Sequence, residues 1–143
     1  MSNISKRTFL GIGLGAVAGA AGIGYAMTAS TAAGFEHIAM TAEEIQSSGA
    51  LVVDIRTPGE WRQTGVIEGA KLVEFDFDNP ATFLPQIQAE LADGRDLILI
   101  CRSGNRTQAA ARYLTGQIDN RIVSVRGGIR GVISGGYRPV APG

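Results

Sequence analysis

The stretch of sequence that decides the fold is DLILICRSGNRT, residues 96–107. It begins with four consecutive aliphatic residues at 97–100, a pattern typical of a strand that is buried on both faces in the middle of a parallel sheet. A loop follows, and from Thr107 an Ala-rich segment predicts a helix to Leu114, ended by Gly116. The stretch therefore predicts that Cys101 lies at the carboxyl edge of the sheet, where open α/β sheets bind their ligands.

Strand candidates alternate with helical segments on either side of this unit. Strands are predicted at residues 36–40, 51–55, 71–75 and 121–125. Capping-box patterns at Thr41–Glu44 and Thr57–Glu60 predict the starts of two short helices, and helical spacing of apolar residues predicts another over Asn79–Leu91. We therefore expect an α/β fold of three layers, with a mainly parallel central sheet and helices on both faces.

The N-terminal segment has the parts of an export signal. Lys6 and Arg7 precede a stretch at residues 8–35 that carries no charge and is rich in Ala and Gly. The start resembles a twin-arginine signal, with Lys6 where the first Arg is usual, and small residues favour cleavage near Ala32 or Ala33. The alternative is an uncleaved membrane anchor, since the run is long enough to span a bilayer.

These observations divide the chain into residues 1–33, an export signal or membrane anchor, and residues 34–143, one domain. With the basic residues on the inner side, the domain is predicted to lie outside the cytoplasm, in the periplasm if the leader is cleaved. Contact with the membrane is expected only if the leader is retained. The roughly 110 residues that follow the leader are enough for one compact domain with its own core.

Composition excludes several classes of function. Of the 13 basic residues two lie in the leader, which leaves 11 against 13 acidic ones, so a nucleic-acid partner is disfavoured. A single Cys rules out an internal disulfide and a Cys-rich zinc site. A single His, His37, disfavours most metal sites and has no Cys or Asp companion in the sequence, so we expect neither a metal nor a cofactor.

The residue types of the loop favour a reactive thiol. The start of the following helix offers backbone amides that can form a cradle for an anion, and Gly104 permits the backbone conformations that such a cradle needs. Arg102 and Arg106 add positive charge. Because these features favour thiolate over thiol, Cys101 is predicted to be a nucleophile. A lone Cys after an apolar strand is also often a small buried residue, and the residues alone leave that alternative open.

Four ordered motifs resemble those of the single-domain rhodanese-like sulfurtransferases. Residues 101–107, CRSGNRT, are similar to the active-site loop of that family, and residues 53–61, VDIRTPGEW, to its VDVR-T-P-x-E-[WF] segment. Residues 65–70 resemble its G-H-I-P-G-A segment, with Val66 for His and Glu68 for Pro. Gly127-Gly128 with the GGY at 135–137 resembles its C-terminal ending, in which Val132 replaces a common aromatic residue. The motifs cover nearly all of the chain from residue 36.

The resemblance implies a role for each residue of the loop. Cys101 would carry the transferred sulfur as a persulfide. The loop backbone and side chains would bind the substrate, through Arg102, Ser103, Gly104, Asn105 and Arg106. Arg106 either braces the loop or binds an anionic donor.

Three residues outside the loop complete the predicted site and its surroundings. The resemblance implies that Asp54 and Arg56 support the site, and burial of either would require a partner such as the other. Trp61 follows a capped helix start and is expected in the core rather than as a substrate platform.

The function implied by the resemblance is sulfur transfer. A small donor, thiosulfate or a persulfide, would give sulfur to Cys101, and cyanide or a thiol would accept it. One alternative is a sulfur-relay or persulfide-carrier module that needs a protein partner. Others are a non-enzymatic binding domain, which the intact Cys loop disfavours, and a phosphatase or arsenate reductase on the same fold. Phosphatases of this fold carry one more loop residue than the six at 101–106, and this loop holds no acid to protonate a leaving group.

Overall fold

Five parallel strands form the centre of the fold. The computed structural model describes residues 34–143, and its strands are β1 (Glu36–Ile38), β2 (Leu51–Asp54), β3 (Lys71–Leu72), β4 (Leu97–Ile100) and β5 (Ile122–Val125). Their order in the sheet is β1-β5-β4-β2-β3, and all neighbours run parallel. The predicted α/β fold with β4 in the middle of the sheet is confirmed. The predicted leader at residues 1–33 lies outside the described residues.

Short helices connect the strands. They are α1 (Ala42–Ser47), α2 (Pro58–Thr64), α3 (Leu84–Ile87), α4 (Asn105–Leu114) and α5 (Gly128–Ser134). Both predicted capping boxes are confirmed. The side chains of Thr41 and Thr57 each accept from the amide of the Glu three residues on, and the amide of each Thr donates to the carboxylate of that Glu. Within residues 34–143 no helix combines the length and the apolar character needed to cross a membrane.

The two faces of the sheet bury separate hydrophobic clusters. Leu97 and Leu99 of β4 pack on the side of α4, together with Phe83 and Ala110. The alternate residues of the same strand, at 98 and 100, pack on the opposite side with Ile45 of α1 and the apolar residues of α5. All four residues of β4 are buried, as the apolar run predicted, so the strand that delivers Cys101 is held from both sides.

Two predicted elements are interrupted or shortened in the structure, and the helix predicted from Thr107 begins two residues earlier, at Asn105. The predicted helix Asn79–Leu91 is broken into a 3-10 turn at Pro80–Thr82, α3, and a second 3-10 turn at Gln88–Leu91. Pro85 supplies no amide hydrogen, and Ile87 leaves helical geometry at φ −122° and ψ −9°. The predicted strand at 71–75 pairs regularly at Lys71–Leu72. Beyond it the chain still follows β2, because the amide of Phe75 donates to the carbonyl of Ile55.

Candidate active site

Cys101 lies where three strand ends meet. It follows β4 directly, and β4 has the ends of β2 and β5 on its two sides at the carboxyl edge of the sheet. The side chain is 1 % exposed and belongs to the cluster on the α4 side of the sheet. Because it is the one cysteine of the chain, any thiol chemistry of this protein takes place here.

The loop after Cys101 turns back towards its own sulfur. Gly104 adopts a left-handed conformation at φ +99°, and its amide donates a hydrogen bond to Cys101 Sγ at 3.1 Å. The sequence predicts a cradle of several backbone amides at this point. Within the described residues, Gly104 is the one residue of the loop at 101–106 whose amide donates to the sulfur. The ten-residue helix α4 begins at Asn105, so its positive end faces the same region.

A hydroxyl group completes the immediate surroundings of the sulfur. Thr107 Oγ1 lies 3.6 Å from Cys101 Sγ and donates to the carbonyl of Gly104 at 3.0 Å. It also lies 2.7 Å from Ser124 Oγ, which in turn lies 2.9 Å from His37 Nδ1. His37 and Ser124 stand opposite each other in the β1–β5 register, so the sheet itself brings these two side chains together.

Backbone hydrogen bonds from helix α5 fix the loop. The amide of Ile129 donates to the carbonyl of Cys101 at 2.8 Å, and the amide of Arg130 donates to that of Arg102 at 3.2 Å. A Cβ on Gly128 would lie 2.5 Å from the Cys101 carbonyl oxygen and 2.6 Å from the Arg102 carbonyl carbon, both of which are backbone atoms. Only glycine permits this close approach at φ +56°, which explains the double Gly of the C-terminal motif.

Arg106 is held by a carboxylate of helix α2. Its two terminal nitrogens donate to the two oxygens of Glu60, at 2.9 and 2.6 Å. Glu60 also accepts from the amide of Thr57, so one carboxylate caps α2 and ties that helix to the loop. The hydrogen bonds from Arg106 lower the pKa of Glu60 from 4.5 to about 2, more than its partial burial raises it. The predicted bracing role fits this geometry, because the guanidinium fork is already occupied.

Asp54 and Arg56 form a buried ion pair beside the loop. Arg56 Nε donates to both carboxylate oxygens of Asp54, and both side chains are 1 % exposed. The remaining nitrogens of Arg56 donate to Thr64 Oγ1 at 2.6 Å and to the carbonyl of Gly65 at 2.9 Å. Trp61 is partly buried, and its indole donates to Asp54 at 3.1 Å. The expectation that Trp61 packs in the core is wrong, because the residue is only partly buried and belongs to neither hydrophobic cluster.

The other predicted substrate-binding residues differ in their exposure to solvent. Arg102, Ser103 and Asn105 are exposed, whereas Gly104 is buried beneath them. Two further exposed arginines, Arg126 and Arg130, flank the double Gly that supports the loop. Within residues 34–143 no group of three or more His, Cys, Asp or Glu side chains is placed to hold a metal ion.

Several residues at the site were missed or underrated in the sequence. The sequence assigns Glu60 to a helix cap and a family-like segment, and Thr107 to the end of the loop motif, but it shows neither the bond of Glu60 to Arg106 nor the approach of Thr107 to the sulfur. Ser124 is the one polar residue of the fully buried strand β5, and such an interruption of an apolar run is a usable signal for a buried polar contact. His37 had no companion within the sequence, because its partner lies 87 residues away.

These features define the class of protein. The pattern of the rhodanese-like domain family matches residues 38–134, a span that includes the Cys101 loop, the Asp54–Arg56 pair and the Gly128 clamp. The chain belongs to that family. The fold, the ordered motifs and the matched span agree with one another.

Individual relatives narrow the chemistry. A sulfurtransferase of Allochromatium vinosum is 36 % identical over 92 residues, which cover 64 % of this chain and 79 % of the relative. The thiosulfate sulfurtransferase GlpE of Ectopseudomonas mendocina is 38 % identical over 87 residues, which cover 61 % of this chain and 73 % of the relative. These similarities support a rhodanese-like sulfurtransferase in general terms.

Solved structures agree with the fold. The crystal structure of a rhodanese-related protein from Thermoplasma volcanium superposes with a TM-score of 0.52 at 29 % identity, and the match covers 69 % of this chain and 93 % of that one. A rhodanese-like domain protein from Staphylococcus aureus has a TM-score of 0.50 at 24 % identity, covering 66 % of this chain and 89 % of that one. The second similarity concerns the fold alone.

Proposed function

We propose that this protein is a sulfurtransferase in which Cys101 takes up one sulfane sulfur atom as a persulfide and passes it to a thiophilic acceptor. The observation that carries the proposal is the placement of the chain's one thiol. Its sulfur accepts the amide hydrogen of Gly104 and lies beside the Thr107 hydroxyl, in a loop that is tied to α2 and α5. Donors that point at a sulfur stabilise its negative charge, which is the state that attacks.

The proposed reaction has two balanced steps. The Cys101 thiolate attacks the outer sulfur of thiosulfate, forms a new S–S bond, and breaks the old one, so that sulfite leaves with the electron pair. Cyanide or a thiolate then attacks the outer sulfur of the persulfide, and the Cys101 thiolate leaves. No metal or cofactor takes part, since each step exchanges one sulfur bond for another.

The charges around the loop favour an anionic small donor. Arg102 lies in the loop and the amide of Arg130 bonds to it. Arg126 precedes Gly127, whose nitrogen lies 3.1 Å from the position of a Cβ on Gly104. All three arginines are exposed, and Arg106 is neutralised by Glu60. Three exposed cationic side chains near the loop would attract thiosulfate towards the buried sulfur. A persulfide on a small molecule or on a partner protein is the alternative donor, and a protein thiol the alternative acceptor.

Intact mass spectrometry tests the sulfur step directly. After incubation with thiosulfate the protein should gain about 32 Da, the mass of one sulfur atom, and cyanide should remove it. Cys101→Ser should abolish both changes. A parent protein that gains no sulfur from thiosulfate but gains it from a protein persulfide would favour the relay function, and one that gains none from any donor would exclude sulfur transfer. Hydrolysis of a phosphate ester by the parent would favour the phosphatase alternative.

A matched pair of glycine variants tests whether loop geometry is responsible. Gly128→Ala places a Cβ against loop backbone, whereas Gly131→Ala, in the same helix, meets its nearest neighbour at an ordinary 3.8 Å. We expect at least about a hundredfold slower sulfur uptake in Gly128→Ala, since displacement of a nucleophile by about 1 Å has effects of that size. Gly131→Ala should behave as the parent. Circular dichroism spectra confirm that both variants are folded.

We further propose that the segment at residues 1–33 directs export, so that the domain works outside the cytoplasm. Support comes from the basic start at Lys6 and Arg7, the uncharged run and the small residues near Ala33. Cell fractionation with intact mass should find a mature protein that begins near Ala32 or Ala33 outside the cytoplasm. Full-length protein in the membrane fraction would favour the anchor, and full-length protein in the cytosol would contradict export. Arg7→Lys should block the twin-arginine route specifically.

A further inference from the structure

A buried chain of polar groups runs from His37 to the sulfur of Cys101. It passes through Ser124 and Thr107, whose side chains are fully buried, with successive distances of 2.9, 2.7 and 3.6 Å. The ring of His37 also lies against the loop, since its Cε1 is 3.2 Å from the position a Cβ on Gly104 would take. Buried hydroxyl groups need partners, and these two find them in each other and in the groups at the two ends.

Counting hydrogens fixes the direction of the chain. The carbonyl of Gly104 can only accept, so the single hydroxyl hydrogen of Thr107 is used there. The short Thr107–Ser124 contact then requires the hydrogen of Ser124. With that hydrogen spent, Ser124 Oγ can only accept from the ring, and His37 must therefore carry its hydrogen on Nδ1. Every donor in the chain thus points away from His37 and towards the loop.

The ring of His37 is neutral at neutral pH. Burial lowers its pKa below the ordinary 6.5, and the positive charge of Arg126 lowers it further. A neutral imidazole has one N–H group, so the choice of Nδ1 over Nε2 is a defined tautomer that can be observed. The hydrogen on Nδ1 is also the one that a protonated ring keeps, so the direction of the chain does not reverse in acid.

We propose that His37 is a positioning residue for the sulfur chemistry of Cys101: its Nδ1–H holds Ser124 and Thr107 in an orientation from which the Thr107 hydroxyl can donate to the thiolate. When Cys101 ionises, the Thr107 hydrogen turns from the Gly104 carbonyl to Sγ. The carbonyl does not lose its last partner, because the amide of Gln108 donates to it at 3.3 Å. No proton passes along the chain, and each donor strengthens the next. The inference rests on the proposed function only in taking Cys101 as the reacting group.

Alkylation of Cys101 by iodoacetamide at fixed pH measures the effect without any sulfur donor. His37→Leu removes the terminal donor, and we expect alkylation to slow about three- to tenfold, the effect of one lost hydrogen bond. His37→Asn places an amide N–H near the position of Nδ1 and should restore the parent rate. The double variant His37→Leu/Ser124→Ala should be no slower than His37→Leu, because both changes interrupt the same chain.

A control and a spectroscopic measurement separate this role from a structural one. Thr107→Val should slow alkylation. Thr115→Val, which removes a hydroxyl just beyond α4 that donates to the carbonyl of Ala111, should not. The protein contains one His, so the nitrogen NMR signals of its ring are unambiguous. We expect the Nδ1–H tautomer in the parent. An Nε2–H tautomer would overturn the proposal. So would equal rates for His37→Leu and parent, or for His37→Asn and His37→Leu.

The two proposals fail in different ways. If the alkylation rates of the variants rank as expected but no sulfur donor adds mass to Cys101, the positioning role of His37 is supported and sulfur transfer is contradicted. If sulfur is transferred but the alkylation rates do not rank as expected, sulfur transfer is supported and the positioning role is contradicted. Melting temperatures of all variants show whether a rate change reflects the loop or loss of the fold.

Discussion

Two Asp–x–Arg turns in this molecule share a geometry and differ in their surroundings. In each, the Arg Nε donates to both oxygens of the Asp two residues earlier, at 2.9 and 3.1 Å for Asp54–Arg56 and at 3.0 and 2.8 Å for Asp93–Arg95. The first pair is 1 % exposed on both sides, whereas Arg95 is 44 % and Asp93 52 % exposed. Hydrogen-bond geometry alone therefore does not determine how much an ion pair contributes to stability.

Burial gives the first pair its importance. Removal of one partner from a buried pair leaves the other charge without water or counter-charge, whereas water replaces a partner lost at the surface. The Glu60–Arg106 pair lies between these limits, with 22 % and 35 % of its side chains exposed. The three pairs therefore form a series in one chain, and the buried and intermediate members are the ones that adjoin the Cys101 loop.

The largest expected effect is on the free energy of unfolding, and it distinguishes the two Asp–x–Arg turns. Asp54→Asn should lower the free energy of unfolding by about 3–5 kcal/mol, because Arg56 then stays buried without a counter-charge. Asp93→Asn is the matched control and should lose far less stability, because water replaces the lost partner at the surface. Urea denaturation of the three proteins measures both values. Similar losses in the two variants would show that local geometry, and not burial, determines the contribution.

The partly exposed Glu60–Arg106 pair should show a coupling energy between those of the buried and the exposed pairs. A double-mutant cycle with Glu60→Gln and Arg106→Ala should find a coupling of about 1 kcal/mol, since partial exposure screens the charges although the contact is bidentate. Arg106→Lys should recover part of it, because an ammonium keeps the charge but loses the fork.

The same two variants distinguish bracing from substrate binding by Arg106. If Arg106 only braces the loop, Glu60→Gln and Arg106→Ala should slow sulfur uptake from thiosulfate to a similar degree. If Arg106 binds the donor directly, Arg106→Ala should be much slower with thiosulfate, and Glu60→Gln should not. Rates with an uncharged persulfide donor provide the reference for both variants.

The smallest effect is expected in acid. The folded pKa of Glu60 is lowered from 4.5 to about 2, so its contribution to stability is complete above pH 4.5 and is lost as the pH falls towards 2. Glu60→Gln should therefore flatten the fall in melting temperature over that interval. The pKa of Asp93 is also lowered to about 2 by Arg95, but solvent screens that pair. Asp93→Asn should change the slope less, and 1 M salt should remove its effect.

The features predicted correctly from the sequence are those that neighbouring residues specify. The buried β4 run, both capping boxes and the parallel α/β arrangement follow from patterns of a few neighbouring residues, and all are confirmed. The 79–91 segment shows the limit of such patterns. Its apolar spacing is helical, but Pro85 and the departure at Ile87 divide it into short turns.

Contacts between distant segments were the part that could not be predicted. His37 meets Ser124 only because β1 pairs with β5 in one particular register, and no local pattern in residues 36–40 specifies that pairing. Glu60 was found as a helix cap from its spacing to Thr57, while its second bond, to Arg106, spans 46 residues. The motif around Glu60 is visible in the sequence, whereas on the β5 side the sequence shows only that Ser124 interrupts an apolar run and does not indicate its partners.

The contact between α5 and the loop has a consequence for the order of folding. The chain is synthesised from the N-terminus, so Cys101 emerges before Gly128 and Ile129, whose backbone packs against and bonds to the loop. Until that late segment arrives, the growing polypeptide carries a thiol without its final surroundings. The nucleophile therefore matures only after residues 128–130 are made, and a nascent fragment that stops before residue 128 contains the cysteine but lacks the support that shapes its loop.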